Sequence, residues 1–152
     1  MIAFITDPAE KARIAALILR DLPEWFGIPE STTQYITGCR DMPFWAAVEG
    51  GQPVGFIALK ATGPHTAEIY VMGVNKAWHG KGHGTALWEA FRAWAKEHGY
   101  EYAQVKTVRR GCYAEYDRTN DFYEHLGFRA LECFPTLWDE CNPCQVYVKY
   151  IG

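Results

Sequence analysis

The segment "VNKAWHGKGHGTALWEAF", residues 74–91, sets Gly80, Gly82 and Gly84 directly in front of a long apolar-striped run. Leu87, Phe91, Trp94 and Ala95 recur at helical steps, which predicts a helix from about Gly84 to His98 that buries that stripe. The glycines therefore fall at a helix N-terminus, where backbone N–H groups lack partners and the helix dipole is positive. Glycine lets the backbone curl closely around a ligand. The combination is a ready anion site, most naturally for phosphate. Lys81 and Thr85 would add a charge and a hydroxyl. A glycine-rich turn with no ligand has the same composition. The segment lacks the Gly-Lys-Ser/Thr ending of a Walker A loop and the G-x-G-x-x-G spacing of a dinucleotide fingerprint.

The rest of the chain reads as alternating elements. Residues 2–5 are β-prone, and Asp7, Pro8 and Glu10 mark a helix start with a capping-box acid. Ile14, Leu17, Ile18 and Leu22 give that helix its buried face. "PEWFGIPE" is a breaker-rich link, and Ser31 with Gln34 suggests a second capping box opening a short helix to about Cys39. "FWAAVEGGQPVGFIALKA" reads as two strands across a Gly50-Gly51 turn, and "TAEIYVMGV" as a third. "GYEYAQVKTV" ends a helix at Gly99 and begins a strand. "TNDFYEHLGF" reads as a short helix stopped by Gly127, with final strands near 128–134 and 143–150. The order predicts one mixed α/β domain over residues 1–152.

Charge and composition narrow the function classes. A net charge of −3 argues against a nucleic-acid partner, which calls for a basic footprint. No apolar run reaches membrane-spanning length, so no membrane association is expected. "MIAFITDPAEK" lacks the basic-then-apolar order of a secretory signal, and five cysteines show no disulfide framework. A cytoplasmic protein with reduced thiols is the expectation. The spacing in "CNPC", Cys141 to Cys144, also suits a metal knuckle or redox pair, but no second Cys/His pair stands at zinc-site spacing. The expectation is no metal, with two buried thiols flanking a turn at Asn142-Pro143.

Two motifs resemble those of the GCN5-related N-acetyltransferase (GNAT) family. "VNKAWHGKGHGTAL" is similar to its acetyl-coenzyme A loop, Gln/Arg-x-x-Gly-x-Gly/Ala, with His79, Gly82 and Gly84 at the patterned positions. His79 stands where Gln or Arg is usual. "YDRTNDFYEHLGF" resembles the family's later helix, where a tyrosine precedes a Gly-Phe ending; Tyr123, Gly127 and Phe128 fit. The family often carries Asn seven residues before that tyrosine, and here Tyr116 occupies the place.

The resemblance implies a single-domain GNAT-like acyltransferase fold, a mixed and mostly antiparallel sheet flanked by helices. It implies acetyl-coenzyme A as co-substrate. Amides of His79, Gly80, Lys81, Gly82, His83, Gly84 and Thr85 would wrap the pyrophosphate. The strand carrying Met72, Gly73 and Val74 would hold the pantetheine arm like an added strand. That strand and the one near residues 102–107 would splay apart to admit the thioester.

In acetyl transfer a neutral amine attacks a thioester and a thiolate leaves. Tyr123 matches the family's general acid. Glu68 stands six positions before Val74, as does the base glutamate of the founding histone acetyltransferases. A water chain is the alternative base. Period-two alternation would put Glu68, Tyr70, Met72 and Val74 on one strand face. Nothing beside Cys112 or Cys133 marks a base-paired nucleophile, so direct transfer is expected.

The acceptor would lie against "DLPEWFGIPESTTQYI" and "ECFPTLWDECNPC". Their aromatics Trp25, Phe26, Tyr35, Phe134 and Trp138, with the acids Glu24, Glu30, Asp139 and Glu140, suit a small cationic amine. Aminoglycosides, polyamines, amino acids and peptide amines stay open. A binding or regulatory module of the same fold is the competing class, and exposed aromatics would also serve a homodimer.

Overall fold

The computed structural model describes residues 1–152. Its elements run β1 (Ile2–Ile5), α1 (Pro8–Arg20), α2 (Pro29–Gly38), β2 (Phe44–Glu49), β3 (Gln52–Ala61), β4 (Thr66–Val74), α3 (His83–Glu97), β5 (Tyr102–Val108), α4 (Ala114–His125), β6 (Arg129–Asp139) and β7 (Asn142–Tyr150). This is the expected order.

The seven strands form one sheet in the order β1-β2-β3-β4-β5-β7-β6. Every neighbouring pair is antiparallel except β4 and β5. Strand alternation divides the apolar side chains between two faces. Phe44, Ala46, Phe56 and Ala58 pack with Ile14, Ile18 and Leu19 of α1. Trp45, Ala47, Ile57 and Leu59 pack with Leu87, Trp88 and Phe91 of α3 and Tyr123 of α4. The fold is thus a single sheet between two helical layers. No helix is long and apolar enough to cross a membrane.

Local chemistry sets the helix starts, with some departures from the sequence reading. An oxygen of Asp7 accepts the Glu10 N–H at 3.0 Å, and Pro8 opens α1. The Glu10 carboxylate does not close a capping box. It binds Arg13 at 2.6 Å, a stronger charged partner one turn on. Leu17 is 47% exposed, and Ala15 and Leu19 join the buried face in its place. The Ser31–Gln34 box does not form: α2 opens earlier, on Pro29, with Ile28 at the cap and no side-chain capping bond. A proline preset to helical φ needs no such cap.

The largest departure lies in β4. Between β3 and β4 the register slips, so that Ala58 faces Val71 while Leu59 faces Ile69. Tyr70 is the extra residue. The bulge reverses the alternation. Glu68, opposite in pleat to Ile69, and Tyr70 both face α1 and α2, whereas Met72 and Val74 pack on the α3 side. The expected shared face of Glu68, Tyr70, Met72 and Val74 is therefore split in two.

The β6–β7 hairpin also differs. β6 runs on to Asp139, and the turn falls at Glu140-Cys141 with Pro143 already in β7. Cys144 is buried but Cys141 is exposed, so the two thiols are not a buried pair. No three His, Cys, Asp or Glu side chains converge into a metal-binding group.

Candidate active site

The parallel pairing of β4 with β5 stops at Ile69 and Val105. Beyond it the two strands part, and a cleft of about 470 Å³ opens between their C-terminal ends. Met72, Gly73 and Val74 line one side and Lys106, Thr107 and Val108 the other. Gly73 keeps that wall thin: a Cβ there would lie 2.9 Å from Leu22, just past the end of α1.

The glycine loop closes one end. Gly80 has φ +75° and Gly82, the cap of α3, has φ +86°. Both are left-handed conformations in which any side chain is strained, and a Cβ at either would meet nothing within 4 Å. The first helical bond runs from the Ala86 N–H to the Gly82 carbonyl at 3.0 Å. The amides of His83, Gly84 and Thr85 precede it and have no intrahelical partner. Gly80, Gly82, His83, Gly84 and Thr85 all line the cleft. This is the arrangement a pyrophosphate requires.

Side chains around the loop mostly brace it. A ring nitrogen of His79 lies 2.6 Å from the Val74 carbonyl, and its ring meets Trp25 edge-on at 6.0 Å. His79 therefore ties the loop back to β4. His83 turns to Glu49, 3.1 Å away. The Lys81 ammonium lies over the Trp78 ring at 5.0 Å, and Lys81 does not line the cleft.

Helix α4 supplies the opposite wall. Tyr123 is 5% exposed and lines the cleft, its ring packed on Phe128 and Tyr147. Burial holds its phenol far above the ordinary range, with smaller contributions from Tyr116 and Tyr35, so it stays protonated at any physiological pH. Tyr116 donates its hydroxyl proton to the Trp25 carbonyl at 2.7 Å, and the Trp25 indole N–H reaches Thr119 Oγ1 at 3.0 Å. Trp25 thus joins the α1–α2 connection to α4.

Glu68 lies off the cleft wall, 5% exposed, with Lys106 Nζ 3.2 Å from its carboxylate. Lys106 itself is on the wall. The carboxylates expected to face the acceptor, Glu24, Glu30, Asp139 and Glu140, do not line the cleft either. Glu24 binds Lys76, and Asp139 holds the hairpin turn through the Cys141 amide and the Asn142 side chain. Trp25, Phe26, Tyr35 and Trp138 do line it, but Phe134 does not. Burial pushes the Cys144 thiol up to about 11, which leaves no thiolate nucleophile there at neutral pH.

Two residues of this region escaped the sequence reading. Arg118 lines the cleft one helical turn before Phe122, whose ring would meet a Cβ on Gly84 at 3.1 Å. That places a cation near the start of α3. Asn120 is fully buried, donating to the Val108 and Tyr116 carbonyls and accepting from the Tyr147 hydroxyl at 2.6 Å. It is consumed as a structural hub and does not stand in for the asparagine missing at Tyr116. Neither residue has a sequence signal until α4 is docked.

No curated protein matches the sequence. Among solved structures, a GNAT-family protein from Desulfovibrio desulfuricans superposes with a TM-score of 0.83 at 16% identity, over 100% of this chain and 99% of that one. The aminoglycoside 6′-N-acetyltransferase from Enterococcus faecium gives 0.77 at 19% identity, over 100% and 97%. A GNAT-family acetyltransferase from Elizabethkingia anophelis with acetyl-CoA bound gives 0.71 at 17% identity, over 99% and 97%. At these identities the likeness is one of fold. A model of the acetyltransferase (GNAT) family matches residues 12–128 of the sequence, most of its length, and the chain belongs to that family.

Proposed function

We propose that the protein transfers the acetyl group of acetyl-coenzyme A to an amine by direct attack. One observation carries the reading: the free amides at the start of α3 and Tyr123 open into a single cleft, through the gap between β4 and β5. The free amides of His83, Gly84 and Thr85, with the Gly80–Gly82 turn before them, hold the pyrophosphate; the His79 amide, expected to join them, is spent on the Lys76 carbonyl at 3.2 Å. The exposed edge of β4 at Met72 and Val74 takes the pantetheine arm. The amine nitrogen bonds to the thioester carbonyl carbon, the carbon–sulfur bond breaks, and Tyr123 gives its proton to the departing sulfur. The proton lost by the amine passes through water to Glu68, which stands behind Lys106 on the acceptor side. The small cationic acceptor expected from the sequence rested on carboxylates that the cleft wall lacks.

The test is thiol release from acetyl-coenzyme A across a panel of small and peptide amines. Tyr123→Phe is expected to bind the co-substrate normally and lose roughly 100-fold or more in turnover, the usual scale for a general acid. Glu68→Gln is expected to move the acidic limb of the pH–rate profile. Co-substrate binding with no thiol release from any amine would leave a binding module instead. An unchanged acidic limb would leave the water chain as sole acceptor of the proton.

A further inference from the structure

The acceptor end of the cleft has a composition that selects among amines. Phe26 meets Tyr35 edge-on at 5.9 Å, and Tyr35 meets Tyr70 edge-on at 5.3 Å, which makes one continuous aromatic wall above β4. Trp138 lines the same cleft from β6, three strands along the sheet. At the ordinary inter-strand spacing that separation is about 14 Å. Trp138 reaches in because the β6–β7 register breaks between Phe134 and Asp139, which lifts residues 135–138 out of the ladder. Lys106 is also on the cleft wall, carried by β5, which stands between β4 and the β7–β6 hairpin in the sheet.

The cations on the lining are Lys106 and Arg118, and no carboxylate belongs to it. The two carboxylates that touch lining residues are both engaged: buried Glu68 pairs with Lys106, and Glu49 lies 3.1 Å from a ring nitrogen of His83. We infer that the preferred acceptor is a monoamine with a flat apolar body, of the arylalkylamine kind, and that polycations are disfavoured. The inference rests on the amine-transfer reading above. Rings and an indole provide stacking and edge contacts for a flat apolar group. A polyamine or aminoglycoside would bring further ammonium groups into a space with no free carboxylate to receive them. A single amine escapes this penalty because it must shed its proton before it attacks. A neighbouring lysine ammonium favours that neutral form.

The experiment compares 2-phenylethylamine and tryptamine with spermidine, kanamycin and a lysine-rich peptide, by thiol release at saturating acetyl-coenzyme A. The aryl monoamines are expected to exceed the polycations in kcat/KM by roughly tenfold or more, the effect of one well-made aromatic contact together with the charge penalty. Trp138→Ala is expected to raise KM for tryptamine about tenfold with kcat and coenzyme A affinity unchanged, and Trp138→Phe to restore most of it. Calorimetry of tryptamine and spermidine against the coenzyme A complex reads acceptor binding without turnover. Selective tryptamine binding with no turnover would support the acceptor class while removing the catalytic reading. Turnover that favours spermidine or kanamycin would overturn the acceptor class and leave the catalytic reading standing. A Trp138→Ala enzyme with unchanged KM would overturn it too.

Discussion

A single torsion distinguishes the residues of the glycine loop. Gly82 sits at φ +86° in open space, so a substitution there costs backbone strain without any collision. Gly84 lies inside α3, and a side chain there presses on Phe122 of α4. Gly82→Val is therefore expected to weaken acetyl-coenzyme A binding by about 1–2 kcal/mol or more through strain alone, with the circular dichroism spectrum unchanged. Lys81 rests on the Trp78 ring away from the cleft, so Lys81→Ala is expected to cost about 1 kcal/mol or less. Arg118 lines the cleft and forms no salt bridge, unlike Arg110, which holds Asp121 and Glu124. Arg118→Ala is expected to cost more than Lys81→Ala, about 1.5–3 kcal/mol if it meets a phosphate oxygen. Calorimetric titration of the three variants checks the order. Normal binding by Gly82→Val with binding lost in Lys81→Ala would mean that side-chain charge holds the anion, not the backbone.

At the scale of elements, the position of α4 decides whether Tyr123 faces the cleft. That position hangs on Asn120, which joins α4 to β5 through the Val108 carbonyl and to β7 through Tyr147. The side chain is fully buried, so Asn120→Ala strands the Val108 carbonyl away from water and leaves the Tyr147 hydroxyl only Glu124, 3.1 Å away. The expected loss is about 2–4 kcal/mol in urea-induced unfolding. Tyr147→Phe removes one partner and is expected to cost about 1–2 kcal/mol. A stability equal to wild type in Asn120→Ala would show that apolar packing alone docks the helix. The β4 bulge acts at the same scale. It sends Tyr70 to the α1–α2 side and Met72 to the α3 side, and both line the cleft.

Across the whole molecule, the aromatic content sets an alkaline limit. Burial raises the phenols of Tyr35, Tyr70, Tyr116 and Tyr123, and raises Tyr147 to about 12 with help from the Glu124 carboxylate. In the unfolded chain these groups ionise near the ordinary value of 10.0. The folded state thus holds protons that the unfolded state releases between pH 10 and 12. Stability is fully present below that window and is lost as pH rises through it. The buried pair Tyr123 and Tyr147 alone gives a slope of about 1–3 kcal/mol per pH unit. Urea midpoints measured on either side of pH 10 check this, and a flat profile would show that the phenols ionise freely in the folded protein.

What the sequence determined by itself was local. Proline and capping chemistry at Asp7-Pro8, the Gly50-Gly51 turn, the helical stripe after the glycine loop and the Gly127 stop each depend on neighbours in the chain, and each stands in the fold. That the glycine loop would open a helix and that Tyr123 would lie on a short helix stopped by Gly127 were legible because each pattern lies within a few residues. What only the tertiary structure decided was facing and pairing between distant segments. The β4 bulge that separates Glu68 from Met72 arises from pairing with β3. The diversion of Glu24 to Lys76 spans 52 positions, and that of Trp25 to Thr119 spans 94. A carboxylate takes the strongest cation that packing brings within reach, and sequence order does not say which one that will be.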